Sequence, residues 1–188
     1  MPSEFTRRKE IARYREITDQ PLYDTLRFSR YGTPFPAPNR GQYMLFQVPL
    51  GGDGKTLLET NMDNAGMLAS PKAFRVQSYG FHIISNNPED AWAMLSVCHA
   101  VFKVMEKDIL SAPVDELPSG TGAYGFVTTQ LSNGLPTKAN VYKFRKPRWL
   151  EPNQNFKVEL TLTENVSLVG DMVKIRCIFG GLVARAVQ

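Results

Sequence analysis

Apolar and polar residues alternate along most of the chain in short runs that stop at Pro, Gly, Asn or Asp, the pattern of strands that bury one face. "QYMLFQV" stops at Pro49, and "GGDGK" supplies turn residues behind it. "AFRVQSYGFHII" sets Phe74, Val76 and Ser78 against Arg75, Gln77 and Tyr79. "HAVFKVMEKDILSAPV", "NVYKF", "NFKVELTLT" and "MVKIRCIFGGLVARAV" carry further strand segments, with the Gly-rich "LPSGTGAYG" among them. One stretch departs from this period: "NNPEDAWAMLSV" offers Asn87 as a cap, Pro88 in the first turn, and Glu89 and Asp90 at the positive end of a helix dipole. Many short strands with one short helix predict an all-β fold, a sandwich or a barrel.

The first forty residues read differently. Phe5, Ile11, Tyr14 and Ile17 align on one side of a short helix, and "YGTPFPAPNRG" carries three prolines that block both helix and central strand. Residues 1–40 are therefore expected to be an N-terminal arm and extended connector, with the β domain over residues 41–188. A helix docked on the chain's own core fits the same periodicity. Phe5, Tyr14, Tyr23, Phe28, Tyr31 and Phe35 are costly to leave in water, so they are expected to bury in this chain or in a neighbour.

At 188 residues and 43% hydrophobic content, one globular domain with one core is expected. The net charge of +4 is mild and by itself names no partner. Most of it lies in the first forty residues, where eight cations face five carboxylates. Cys98 and Cys177 are too few for a disulfide framework and suggest a reducing compartment. No apolar stretch approaches the roughly 20 residues that cross a bilayer.

Several apparent chemical motifs fail on inspection. "VPLGGDGKT" resembles a phosphate-binding loop, but Pro49 stands where that motif requires its first glycine. Cys98 and His99 are adjacent, and neighbouring strand residues point to opposite faces, so they cannot share a proton. His82 and His99 are the only histidines, without a His-x-His pair for a metal. Asp115 and Glu116 read as solvated loop acids. No catalytic, metal or cofactor residue is expected, which disfavours a cupin-like enzyme.

Two cationic clusters remain: Lys143, Arg145, Lys146 and Arg148 in "YKFRKPRW", and Arg7, Arg8 and Lys9 near the N-terminus. In the first, alternation opposes Lys143 and Arg145 to Tyr142 and Phe144. Pro147 lacks a ladder donor, which assigns the segment to a sheet edge or a strand boundary. Protection of that edge, contact with a polyanion, and an intersubunit salt bridge all fit. Trp149 and Phe156 are expected to be core anchors. Gly180 and Gly181 mark a bend or a close approach of another chain segment, and Arg185 reads as an exposed or interface cation.

In order along the chain, "TNMDNAGMLASPKAFRVQSYGF", "MEKDILSAPVDELPSGTG", "FRKPRWLEPNQNFKVEL" and "VKIRCIFGGLVARAVQ" resemble the single jelly-roll capsid proteins of tailless icosahedral bacteriophages. The similarity spans Thr60 to Gln188. It implies a jelly-roll β-sandwich, self-assembly into an icosahedral shell and no enzymatic activity. The implied partners are copies of the chain in trimers, pentamers or hexamers, other virion proteins, and genome or internal lipid through the basic residues. The implied location is the virion, after synthesis in the host cytoplasm. The alternative expectation is a non-catalytic sandwich that binds carbohydrate or a receptor, as a minor vertex protein does, with Tyr124, Phe126 and Trp149 as its rings.

Overall fold

The computed structural model describes residues 16–120, 125–127, 130–132 and 141–185. Its strands in chain order are β1 (Glu16–Asp19), β2 (Leu22–Ser29), β3 (Gly41–Leu45), β4 (Lys72–Ser85), β5 (Cys98–Val104), β6 (Lys107–Pro113), β7 (Gly125–Val127), β8 (Gln130–Ser132), β9 (Lys143–Leu150), β10 (Phe156–Leu162) and β11 (Met172–Arg185). The helix α1 (Pro88–Val97) joins β4 to β5, where the sequence places it. The Asn87 side chain accepts a 2.9 Å hydrogen bond from the Glu89 amide, Pro88 occupies the first turn, and Ala91 and Met94 turn inward.

Two antiparallel sheets face each other. One runs β2, β11, β4, β9, with β1 continuing along the β2 side of β11; the other runs β3, β10, β5, β6. Among these eight main strands only β5 and β6 are joined as a hairpin within one sheet, through Met105 and Glu106. Every other connection between consecutive main strands crosses to the opposite sheet. That order is a jelly roll, and it makes the fold an all-β sandwich, with one short α-helix among the described residues.

The N-terminal expectation needs correction. Residues 16–19 and 22–29 are strands hydrogen-bonded to β11, so the sandwich starts well before residue 41 and Ile17 lies on a strand. Leu22 and Phe28 reach the core, because β11 needs a partner on its second edge and these residues carry the alternation to supply one. Residues 30–40 are the connector, and its Phe35 ring lies 4.1 Å beneath the Arg27 guanidinium. Tyr31 stays 75% exposed. Phe5 and Tyr14 fall outside the described residues.

The core is a layer of rings between the sheets. Phe179 of β11 sits 4.7 Å from Phe102 of β5, 5.1 Å from Tyr79 of β4, and 5.1 Å from Phe46 just after β3, measured between centroids. Each pair falls in the range where aromatic contacts add to area burial. Phe156 belongs to this layer. Trp149 does not; it is half-buried and pairs with Arg75 away from the core, contrary to the anchor expected.

The simple alternation expected for β4 also fails at one point. Gln77 is an extra residue, with Ser78 opposite Gly180 and Val76 opposite Gly181. This bulge reverses the phase, so Phe74 and Val76 face inward before it and Tyr79, Phe81 and Ile83 after it. The two glycines accommodate the crowding: a Cβ on Gly181 would lie 2.0 Å from the Arg75 carbonyl oxygen, and one on Gly180 2.3 Å from Ser78 Oγ. The Gly180–Gly181 pair is thus a close approach within the sheet. Gly181→Ala should cost about 1–3 kcal/mol through overpacking, read as a lower denaturant midpoint with unchanged slope.

Candidate functional site

Asp24 is on the inward face of β2 and fully buried. Lys55, which follows a short 3-10 turn at Gly52–Gly54, reaches it at 2.7 Å, and the Phe46 amide donates to the other carboxylate oxygen at 2.6 Å. Phe46 has φ of +67°, so the chain turns sharply there to present that amide. A buried carboxylate with one ammonium and one amide is compensated for the water it has lost. The "GGDGK" loop therefore spends its lysine on the core, leaving none for a phosphate.

The same connection lies along the edge of β2 and over the outer face of its sheet. Tyr23 and Asn61 exchange hydrogen bonds, and the Thr25 hydroxyl donates to the Glu59 carbonyl at 2.7 Å. Glu59 sits among Lys174 at 3.0 Å and Arg27 at 3.5 Å, with its side chain 7% exposed. Burial would raise its carboxyl, but the hydrogen bond and charge of Lys174, with Arg27, hold it below the ordinary value. Glu159 repeats this on the other sheet: burial opposes ionisation, and Lys103 at 2.7 Å and Lys157 at 2.9 Å bring its carboxyl below the ordinary value. His82, across from Arg176, has its Nε2 covered without a hydrogen-bond partner among the described residues; burial, then Arg176, lowers its pKa.

The thiols are core groups. Cys98 is buried and its pKa is pushed up to about 12 by loss of water, while His99 faces the other side of β5 and meets Ser111 at 3.4 Å. Cys177 is buried beside Tyr79 and Asp24, and its pKa is pushed well up by burial and then by the Asp24 charge. Among the described residues no group of His, Cys, Asp and Glu could hold a metal, and no helix is long and apolar enough to cross a membrane. Asp115 and Glu116 are exposed on the single turn after β6.

The cations of β9 form an exposed edge. Lys143, Arg145, Lys146 and Arg148 are all exposed, and none lies within ion-pair distance of a carboxylate among the described residues. Ser78 pairs with Lys143 and Val76 with Arg148, so β9 places residues 144–147 opposite Gln77 alone. This wide bulge contains Pro147 and turns Phe144 onto the core cluster while Arg145 and Lys146 stay in solvent. Arg185 is exposed at the end of β11. Arg7, Arg8 and Lys9 lie outside the described residues, as does Tyr124; Phe126 is on β7.

Apart from Ile17 on β1, the large exposed apolar side chains among the described residues lie on connections. Leu57 and Leu58 are 64% and 78% exposed on the β3–β4 connection, where they border a shallow hollow with Pro21, Tyr23, Arg176 and Ile178. Trp92 projects from α1, Met105 from the β5–β6 turn and Val169 from the β10–β11 connection. A second hollow holds the amides of Gln47, Asn153, Gln154 and Asn155, but the only ring among the described residues that line it, Phe156, is 1% exposed. It lacks the stacking surface expected of a sugar site.

Compared with models of protein families, with curated proteins and with solved structures, the chain matches none.

Two outcomes follow from the charge arrangement. Lys55→Met leaves Asp24 charged and buried without its cation, and should lower stability by about 3–5 kcal/mol in denaturant titrations. Glu59, Glu159 and His82 all have lowered native pKa values, so the unfolded chain binds more protons as pH falls. Their contributions are present above the ordinary values of 6.5 for His82 and 4.5 for the carboxylates, and are lost below them. Melting temperature should therefore fall in two stages on acidification, and Glu59→Gln should reduce the lower stage.

Proposed function

We propose that this chain is a structural virion protein, a coat subunit that assembles with copies of itself into an icosahedral shell. The observation that carries this reading is the distribution of uncovered apolar side chains. Leu57 with Leu58, Trp92, Met105, Val169 and Tyr31 occupy different connections of one jelly roll. Single exposed apolar residues are ordinary. An adjacent pair standing mostly in water, with large side chains on four other connections, suits a subunit that meets neighbours on several sides.

Two further features support it. The strand order is one that shell proteins use, although lectins and cupins use it too. The segments that resemble the coats of tailless phages fall on structural landmarks: the approach to the bulged β4, the β6 turn, the β9–β10 corner and the glycine pair of β11. Other virion proteins are the partners such a subunit would meet besides its own copies. It would be made in the host cytoplasm and end in the virion.

Native mass measurement and electron microscopy across a salt series test this directly. Trimers, pentamers, hexamers or closed particles are expected. A chain that stays monomeric at its highest soluble concentration overturns the reading, and a small fixed oligomer that binds glycans supports the carbohydrate-binding alternative. Leu57→Ser with Leu58→Ser should weaken assembly while changing the stability of the isolated subunit by no more than about 0.5 kcal/mol, as for exposed positions.

A further inference from the structure

We propose that the β9 edge is a binding surface for the phosphate backbone of single-stranded nucleic acid. The proposal goes beyond the shell reading and does not need it, since an unassembled chain presents the same edge.

Lys143, Arg145, Lys146 and Arg148 fall within six consecutive residues, are exposed, and have no carboxylate partner among the described residues. Elsewhere six described cations meet carboxylates, Lys55 with Asp24, Lys72 with Asp63, Lys174 and Arg27 with Glu59, Lys103 and Lys157 with Glu159, and those that meet none, such as Arg40, Lys107 and Arg185, are scattered over different elements. Among the described strands only β9 sets four cations without carboxylate partners within six consecutive residues. Discouraging edge-to-edge pairing does not require four cations, because Pro147 and the wide bulge already interrupt the ladder.

The occupant follows from chemistry. Four unpaired cations on a narrow edge complement a run of phosphates, and a flexible single strand can follow a bulged, irregular strand. A lipid surface is the less suited polyanion. Membrane-docking faces set apolar side chains beside their cations, and none of the large exposed apolar residues is on β9.

The test uses the full chain and a fluorescein-labelled oligothymidine, with anisotropy followed over a salt series. Four phosphate contacts predict a slope of log K against log salt of about −2.8, and loss of two contacts reduces it by about 1.4. Lys143→Ala with Arg145→Ala should weaken binding and flatten the slope by that amount, with melting unchanged. Arg40→Ala with Lys107→Ala removes the same charge from exposed positions elsewhere and should leave the slope alone. Absence of salt-dependent binding, an equal loss in both double variants, or binding to phosphatidylserine vesicles without binding to the oligonucleotide each overturns the proposal. A chain that binds the oligonucleotide yet never assembles would contradict the shell reading alone.

Discussion

The bulge at Gln77 is the constraint on which much of this sandwich depends. β4 and β11 run together for most of their length, and a strand that long would twist its apolar face away from the opposite sheet if its alternation never reset. The extra residue resets it. Tyr79 is thereby turned inward to meet Phe179, and that pair extends the ring layer across to Phe102. On one side the bulge requires Gly180 and Gly181, which leave room for the displaced carbonyl and hydroxyl of β4. On the other side it coincides with the excursion of residues 144–147 that carries Arg145 and Lys146 into solvent. A packing requirement of the core and the display of a cationic edge share one local irregularity.

A second kind of constraint is polar. The edge of β2 would be open along its length without the β3–β4 connection, which is fixed inside by Asp24 and Lys55 and outside by Glu59 with Arg27 and Lys174. The inner pair replaces lost hydration with one ammonium and one amide, so its value lies as much in holding the loop at one position as in net stability. The loop fixed in this way carries Leu57 and Leu58 on its outer surface. Cover for the sheet edge and an exposed apolar pair thus come from the same segment.

These arrangements place the protein's distinctive chemistry on its borders. The described thiols are buried, Asp24, Glu59 and Glu159 are paired with cations, and Asp90 accepts from the Val169 and Gly170 amides. Cations on one edge and apolar side chains on several connections suit recognition of other macromolecules. The shell reading and the nucleic-acid reading concern different surfaces, so each stands on its own residues.

The sequence alone determined the local features, because these depend on residues near one another in the chain. The period-two runs marked the strands, Asn87 and Pro88 marked the start of the helix, and Pro147 marked a strand that could not sit inside a sheet. The Cys98–His99 separation was legible for the same reason, as neighbouring strand positions face opposite ways. Tertiary structure decided what depends on distant partners. Asp24 and Lys55 are 31 residues apart, and nothing local marks either as buried. Residues 16–29 read as part of an arm because their worth as strands depends on the free edge of β11, more than a hundred residues later. Trp149 read as an anchor because its size favours burial, yet the shifted register of β9 turned it outward. Gln77 gave no local sign of a bulge; only its pairing with the two glycines of β11 shows why the alternation reverses there.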